Sequence, residues 1–201
     1  MAKTKSDAFF YNGSWYHRTK YFREDYSVGY SKKGGFKSAQ EARESYKRMR
    51  NDFEKLVSDN QDSAGTGITF GVVDIDFFKP FNRNSGRVTG DAVLKEVSSI
   101  INESIKDKGM GYHFYGDEFY IILKETDEAI IKNIAEHIRL ELAKKQILHE
   151  SSKVDEYLTV SQAYVIAPDV KVPDEFSKLF KAVDEVLNDV KEKGRNAYKI
   201  V

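Results

Sequence analysis

Two carboxylates stand at the end of one strand-like stretch of this sequence, close enough to share a ligand. Residues Ile68–Ile75 predict a strand because they are rich in β-branched side chains and carry no helix N-cap. On a strand, Asp74 and Asp76 would point to the same face. Their oxygens suit a hard cation such as Mg²⁺, which attracts phosphate, and Lys79 adds a phosphate-compatible charge. A solvated strand end is the competing interpretation of an isolated Asp-x-Asp.

Alternating helices and strands are predicted to position these side chains, in the order β-α-α-β-β-α-β-α-β. In chain order they are the strand Ile68–Ile75, a short helix or turn at Phe77–Asn84, the helix Ala92–Lys106 with Asp91 as its N-cap, the strands Met110–Tyr115 and Phe119–Leu123, a helix capped by Thr126, the strand Tyr157–Ile166, a helix through Phe176–Val190, and the strand Ala197–Val201. A Gly-Asp turn makes the two adjacent strands a hairpin.

This order predicts an α/β (α+β) fold of the palm or ferredoxin-like type. Its central mixed sheet would contain the antiparallel hairpin and be flanked by helices. The strand that ends at Asp74 would then lie beside the hairpin, so that Asp74 and Asp117 converge on one cation. Ligands of open α/β sheets bind at such a strand edge.

Residues 1–66 are predicted to form a separate region in front of a main domain at residues 67–201. Asn12-Gly13 would turn a hairpin in a set of short aromatic strands, and Gly34-Gly35 would break the strand pattern. Ser38 and Glu41 form a capping box at the start of a helix. That helix, Ala39–Val57, carries an apolar stripe that predicts packing against a partner surface.

Charge and composition narrow the class of protein. The 201 residues are 40% hydrophobic, contain no cysteine and have a formal net charge of zero. Disulfides and thiolate zinc sites are therefore excluded. Residues 1–50 hold 12 Lys and Arg against 5 Asp and Glu, so a basic front precedes an acidic body. Since no apolar run approaches the length of a membrane span and no signal peptide is evident, a soluble, cytoplasmic protein without membrane contact is expected.

Four short motifs occur in a fixed order at the boundaries of the predicted elements. They are Asp74-Ile-Asp-Phe-Phe-Lys-x-x-Asn82, Gly86-x-x-x-Gly-Asp91, Tyr115-Gly-Asp-Glu-Phe119 and Lys191-x-x-Gly-Arg-Asn196. Together they resemble the GGDEF domain of diguanylate cyclases, over residues 68–201. Thr159-Val-Ser161 also fits a Thr-x-Ser strand of that family.

The resemblance implies a role for each matched residue. Metal binding would fall to the side chains of Asp74, Asp117 and Glu118 and the carbonyl of Ile75. Glu118 would also assist the attacking 3′-hydroxyl, and Asp117, Glu118 and Lys79 are the catalytic candidates. Substrate binding would involve the triphosphate cradle Phe77, Phe78 and Lys79, the guanine-binding pair Asn82 and Asp91, and the phosphate-binding pair Lys191 and Arg195.

The implied function is condensation of two GTP into cyclic di-GMP by two-metal phosphoryl transfer. Two Mg²⁺ or Mn²⁺ ions would serve each site, and two subunits, each holding one GTP, would form a homodimer across the hairpin. Two alternatives stay open. One is a degenerate domain that binds GTP or a cyclic nucleotide and signals through the front region. The other is a palm-type cyclase that makes another cyclic oligonucleotide in antiviral signalling.

The sequence departs from the family pattern in four places. The family's usual Asp-x-Leu-Thr-Gly-Leu-x-Asn-Arg entry is missing and is replaced by the region Gly34–Ala42. Tyr115 replaces the first glycine of the signature, which predicts reduced or altered activity unless its side chain points away or stacks on a base. Lys106-Asp-Lys-Gly109 stands where an inhibitory Arg-x-x-Asp product site is expected, so product feedback is not predicted. Arg87 replaces the usual histidine after Gly86.

The front region has a second, shorter resemblance. The run Gly34-Gly-Phe-Lys-Ser-Ala-Gln-Glu-Ala42, with Trp15 before it, is similar to the arm-type DNA-binding domain of integrases, a three-stranded sheet followed by one helix. Basic residues among aromatics suit nucleic acid, so DNA contact through residues 1–57 is one expectation. An aromatic hairpin that caps the main domain or forms a dimer interface is the alternative.

Overall fold

The computed structural model describes two sheets and the helices that cover the larger one. Structure is described for residues 8–11, 14–22, 28–36, 44, 47–55, 58, 67–170 and 175–201. The elements of the larger part are β4 (Ile68–Ile75), α2 (Phe78–Ser85), α3 (Arg87–Ile105), β5 (Gly109–Tyr115), β6 (Glu118–Leu123), α4 (Glu128–Lys144), β7 (Val160–Ala167), α5 (Glu175–Glu192) and β8 (Tyr198–Ile200).

Three antiparallel strands form the smaller sheet at the front of the chain. They are β1 (Ala8–Tyr11), β2 (Ser14–Phe22) and β3 (Val28–Phe36), paired in the order β1-β2-β3. The predicted set of short strands is therefore observed, but the third strand continues through Gly34-Gly35, so the expected break there was wrong. The pairing is irregular at this place, because Trp15 pairs with Phe36 and Tyr16 with Gly34, which leaves Gly35 of β3 without a partner in β2. The predicted turn residues Asn12-Gly13 and the capping box at Ser38 and Glu41 lie outside the described residues.

β4 is the central strand of the five-stranded mixed sheet. The strand order is β5-β6-β4-β7-β8, with β4 antiparallel to both neighbours and β7 parallel to β8. Every residue of β4 is buried, as the β-branched run predicts for a strand covered on both faces. The predicted mixed sheet with an antiparallel hairpin and flanking helices is confirmed.

Alternate residues of β4 serve two separate cores. Phe70 and Val72 face α5 and the helical residues 47–55, here called α1. Val73 and Ile75 face the opposite core, which contains side chains of α2, α3 and α4. Because the side-chain period of a strand is two, Asp74 belongs to the face that α5 covers. This parity decides which helix can reach its carboxylate.

The apolar stripe predicted for the helix before β4 packs within this chain. Met49 and Phe53 of α1 are fully buried, and the Phe53 ring lies 5.1 Å from that of Phe176 and 6.3 Å from that of Phe70. The predicted stripe is therefore observed for these two residues, against the chain's own core. The domain boundary near residue 66 stays a prediction.

Several element ends differ from the predicted ones. The predicted ends of β4 are confirmed, but α3 begins at Arg87, so Asp91 lies inside the helix and its predicted N-cap role was wrong. Gly86, with φ of 82°, allows the chain to leave α2 and enter α3 at once, an angle that side-chain-bearing residues seldom adopt. Asp127, not Thr126, caps α4 by accepting a hydrogen bond from the Ala129 N–H at 2.8 Å. None of the described helices is long and apolar enough to cross a membrane.

Candidate active site

The C-terminal end of β4 lies beside the β5–β6 hairpin turn, at one end of the strands of the sheet. Asp74 pairs in register with Glu118, the first residue of β6. One residue later, the Ile75 N–H donates to the Asp117 carbonyl at 3.2 Å. The structure therefore brings together the two segments from which the acidic residues were predicted to converge.

Asp74 is buried and forms an ion pair with Lys191 of α5. The Lys191 Nζ lies 2.7 Å from the Asp74 carboxylate, whose side chain is only 7% exposed. Burial raises the pKa of Asp74 to about 8; Lys191 lowers it, whereas the nearby charges of Asp117 and Glu118 raise it. The charges of Asp117 and Glu118 thus act on Asp74, and a cation bound near these side chains would reduce their mutual repulsion.

The chemistry of this donor set fits a hard divalent cation. Asp74, Asp117 and Glu118 offer carboxylate oxygens and Ile75 a carbonyl, the ligands that Mg²⁺ accepts. Within the described part of the chain, no three acidic or histidine side chains are already arranged around one metal position. Lys191 supplies the positive charge at Asp74 in this arrangement, so a metal bound there would require Lys191 to move.

Asp76 does not share the environment of Asp74. Its side chain is buried and accepts hydrogen bonds from the Thr159 and Ser161 hydroxyls at 2.8 and 2.7 Å, and from the Asn196 N–H at 3.1 Å. The suggestion that both aspartates face one cation was therefore wrong. β4 ends at Ile75, so the alternation of a strand no longer applies at Asp76.

A strained turn follows, at the position predicted to cradle a triphosphate. Phe77 precedes α2 with a positive φ of 55°, which is unusual for a bulky residue. Phe78 and Lys79 form the first turn of α2, with the Phe78 ring buried and Lys79 exposed. The N–H groups of a helix's first turn have no partner within the helix, so this turn can bind an anion.

Arg195 is folded back over the same turn. Its guanidinium carbon lies 4.7 Å from the centre of the Phe77 ring, and its Nη1 donates to the Lys191 carbonyl at 2.7 Å. Its Nε is 3.9 Å from the buried Asp76 carboxylate. Two positive φ angles, 63° at Arg195 and 44° at Asn196, turn the chain sharply after α5 and bring Arg195 to this place.

Asn82 and Asp91 project from two helices that meet at Gly90. A Cβ at residue 90 would overlap the Asn82 Oδ1, so the absence of a side chain lets Asn82 lie across the start of α3. The Asn82 Oδ1 is buried and has no hydrogen-bond partner among the described residues, and the amide nitrogen of the same side chain is a donor by its chemistry. Asp91 is exposed on α3. A hydrogen-bond donor from Asn82 and an acceptor from Asp91 would match the edge of guanine.

One buried histidine, His149, is not among the site residues predicted from the sequence. Its side chain is buried in the loop after α4, and its Nε2 lies 3.1 Å from the Phe77 carbonyl. Nothing in the local pattern of residues 145–158 points to this contact, because it joins residues 72 positions apart.

Two of the departures from the family pattern, at Tyr115 and at Lys106–Lys108, lie close to the β5–β6 hairpin in the sequence. Tyr115 pairs with Glu118 beside a register shift in β5, and its side chain lies outside the described residues. Residues Lys106–Lys108 form a 3-10 turn that leads into Gly109 at the start of β5, and all three are exposed. The expected effects of these departures on activity and feedback stay predictions.

Comparison with known proteins identifies the family. The diguanylate cyclase GGDEF domain family matches residues 39–197. Diguanylate cyclase A of Treponema denticola is 28% identical over 125 residues, 62% of this chain and 33% of that protein. Diguanylate cyclase DosC of Escherichia coli K12 is 29% identical over 137 residues, 68% of this chain and 29% of that protein. The chain thus spans a third or less of the length of these relatives.

Solved structures share the fold. The GGDEF domain of DgcB from Caulobacter crescentus, in complex with c-di-GMP, has a TM-score of 0.61 and 25% identity, covering 75% of this chain and 89% of that one. The active GGEEF domain of a diguanylate cyclase from Vibrio cholerae has a TM-score of 0.63 and 23% identity, covering 77% and 94%. The fold class predicted from the sequence is confirmed.

Proposed function

This chain belongs to the GGDEF domain family of diguanylate cyclases, and we propose that it condenses two GTP molecules into cyclic di-GMP. The observation that carries the proposal is the junction of β4, the hairpin and α5, where Lys191 contacts Asp74 at 2.7 Å beside the Asp117–Glu118 turn. This junction combines carboxylates for cations with a lysine for phosphate, and phosphoryl transfer is catalysed mainly by such positioned charges.

The nucleotide would bind across the end of the sheet at which β4 ends, between α3 and the end of α5. Asn82 and Asp91 would hydrogen-bond the guanine edge, with the Asn82 amide nitrogen donating and the Asp91 carboxylate accepting. The N–H groups at Phe77 and Phe78, together with Lys79, would hold the triphosphate. Lys191 and Arg195 would bind the β- and γ-phosphates, since both already lie at this end and carry the charge that pyrophosphate needs as it leaves.

The acidic residues would serve the reacting centre. Asp74, Asp117 and Glu118, with the Ile75 carbonyl, would hold two Mg²⁺ or Mn²⁺ ions, which supply positive charge against the phosphate oxygens. Glu118 would assist proton loss from the 3′-hydroxyl that attacks the α-phosphorus of the other GTP. A new ester bond forms there, and the bond from the α-phosphorus to pyrophosphate breaks. Two such steps close the ring and release two pyrophosphates.

Catalysis would require two copies of the chain. One site holds one GTP, so each 3′-hydroxyl must meet the α-phosphate of a nucleotide on another subunit. One strand of the hairpin, β5, is the outermost strand of the sheet. A second subunit could therefore approach from that side, and the two sites could face each other. A homodimer is therefore part of the proposal, and specific activity should fall on dilution.

The proposal is tested by incubating the chain with GTP and Mg²⁺ and reading the products by mass spectrometry. Cyclic di-GMP and pyrophosphate are expected, and the variant Asp117→Asn should form neither. The variant Asp107→Asn, with an exposed carboxyl on the 3-10 turn, is the matched control and should be fully active. Absence of pyrophosphate release by the unmodified chain would end the catalytic proposal.

The same experiment separates the remaining alternatives. Saturable binding of GTP or a cyclic nucleotide without turnover would indicate a degenerate binding domain. A cyclic product of another mass would indicate a palm-type cyclase with a different specificity.

DNA contact through residues 1–57 stays a prediction of the sequence, and the smaller three-stranded sheet is compatible with it.

A further inference from the structure

His149 lies in the loop between α4 and β7, with its side chain in the protein interior. The residue is 2% exposed, and its ring meets the Phe81 ring edge to face, with centroids 5.2 Å apart. The Nε2 is 3.1 Å from the Phe77 carbonyl. A carbonyl can only accept, so Nε2 carries the hydrogen of this bond. A buried histidine therefore contacts the backbone of the turn that is proposed to hold the triphosphate.

The turn at Phe77 needs such support. A left-handed conformation at a bulky residue persists only where its surroundings fix it. The Phe77 carbonyl accepts from the Phe81 N–H at 3.0 Å, which is an ordinary helix bond, and from His149. The second bond comes from outside the helix, so among these two it is the one that ties the turn to the rest of the molecule.

The loop that carries His149 is itself well anchored. The His149 N–H donates to the Glu156 carbonyl at 2.8 Å, and the Ser152 N–H donates to the His149 carbonyl at 2.9 Å. The neighbouring Glu150 accepts from the Asn84 side chain at 3.1 Å, a second link between this loop and α2. The imidazole thus projects from a loop that is held by several hydrogen bonds, and it can fix the position of the Phe77 turn.

Phe77 also connects the turn to Arg195. The Arg195 guanidinium stacks over the Phe77 ring at 4.7 Å, so a rotation of Phe77 about its backbone would move both the cradle N–H groups and the surface that supports the guanidinium. Two groups proposed to bind phosphate therefore depend on the conformation of a single residue.

We propose that His149 is a positioning residue for the triphosphate: its Nε2–H holds Phe77 in the conformation that presents both the cradle N–H groups and Arg195 to the phosphates. This inference rests on the proposed function, because it takes GTP as the ligand. His149 touches no substrate atom and has no part in the chemical step. Its loss should weaken binding of the phosphates and leave binding of the base unchanged.

The test compares two substitutions of His149 by NMR titration. His149→Gln retains an N–H donor at a similar reach, whereas His149→Met fills the space without a donor. His137→Gln is the control, since His137 is half exposed and bonds to Ser104 at 2.8 Å, away from the turn. The ligands are guanosine and a GTP analogue with a methylene group between its α- and β-phosphates.

His149→Met should bind the analogue about tenfold more weakly, a change that corresponds to one lost polar contact. Its affinity for guanosine should be unchanged, and His149→Gln should recover most of the affinity for the analogue. Equal weakening of both ligands would reveal general damage to the fold and overturn the inference. Unchanged binding of the analogue by His149→Met would overturn it equally.

A second measurement needs no ligand. The Arg195 Nε–H and the amides of Phe77 and Phe78 should shift in spectra of unliganded His149→Met and remain near their original positions in His149→Gln. If these signals do not move in His149→Met, the turn does not depend on the imidazole. Should the unmodified chain fail to bind the analogue, the proposed function fails and the triphosphate role with it, and the spectra still report separately on the turn.

Discussion

At the scale of single residues, the two aspartates at the end of β4 differ in what their surroundings allow. Asp74 faces α5, where Lys191 contacts its carboxylate, and the charges of Asp117 and Glu118 raise its pKa. Asp76 is surrounded by hydroxyls and one backbone N–H that already satisfy its oxygens. The two aspartates therefore have different roles. Asp74 is the proposed metal ligand, whereas Asp76 joins the end of β4 and the start of β7 to the chain before β8.

We expect Asp76→Asn to destabilise the fold. One carboxylate oxygen would become an amide that cannot accept, although its neighbours donate, so the free energy of unfolding should fall by roughly 1–3 kcal/mol. Urea unfolding followed by circular dichroism measures this change. The matched control is Asp107→Asn, at an exposed position. Equal stability of the two variants would contradict the anchoring role of Asp76.

We also expect Gly90→Ala to reduce discrimination between GTP and ATP. The new Cβ would displace Asn82, and loss of one guanine contact should weaken GTP binding about tenfold. Because alanine favours a helix interior over glycine, α3 should become no less stable. This combination separates a specific effect from damage to the fold.

Titration with GTP and ATP analogues, together with thermal unfolding, checks the Gly90→Ala prediction. Thr89→Ala, at an exposed position of the same helical turn, is the control and should bind as the unmodified chain does. The account of Asn82 is wrong if Gly90→Ala retains the full preference for GTP.

Sequence reasoning succeeds at this scale where a motif carries the signal and fails where a contact is distant. The segments of Asp74 and Asp117 could be predicted to meet because strand order decides it. The contact of His149 with Phe77 and the hydrogen bonds that Asp76 accepts depend on the paths of loops. Patterns of residue types do not predict these paths.

At the scale of elements, burial on both faces of the sheet explains how β4 could be predicted to the residue. A run rich in β-branched residues is a strong signal for a strand, whereas the start of a helix depends on short-range capping. α3 begins at Arg87, five residues before its predicted first residue, because Gly86 supplies the turn and no side-chain cap is used. The burial of α1 against β4 and α5 was visible only as a stripe with no stated partner.

Buried tyrosines on the strands give a prediction of pH dependence. Burial raises the pKa of Tyr120 and of Tyr164 above the usual value of about 10. Tyr120 also donates to Asp184 on α5 at 2.8 Å, and Tyr164 to Gln162 at 2.7 Å. The folded state keeps both protons at a pH where the unfolded state loses them. Their contribution to stability is therefore complete below pH 10 and is lost as the pH rises above it.

Absorbance at the tyrosinate band, recorded against pH, checks this expectation. Part of the increase in tyrosinate absorbance should appear only when the protein unfolds. In Tyr164→Phe this late part should be smaller by the absorbance of one tyrosinate. The same titration in guanidinium is the control, in which all tyrosines should ionise together near pH 10. Ionisation of every tyrosine near pH 10 in the folded protein would show that these side chains are not buried.

At the scale of the whole molecule, the candidate site depends on three distant parts of the chain that meet. β4 supplies Asp74, the hairpin supplies Asp117 and Glu118, and α5 with the turn after it supplies Lys191 and Arg195. The packing of α5 on the β4 face that carries Asp74 makes this meeting possible. The resting ion pair between Lys191 and Asp74 would exchange for phosphate and metal contacts when nucleotide binds.

Anomalous diffraction from crystals grown with Mn²⁺ and the methylene-bridged GTP analogue tests this exchange most directly. We predict a manganese peak within coordination distance of the carboxylates of both Asp74 and Asp117, with Lys191 withdrawn from Asp74 and bound to the phosphates. Bound nucleotide with no manganese at these carboxylates, and with the Lys191–Asp74 pair intact, would contradict the account.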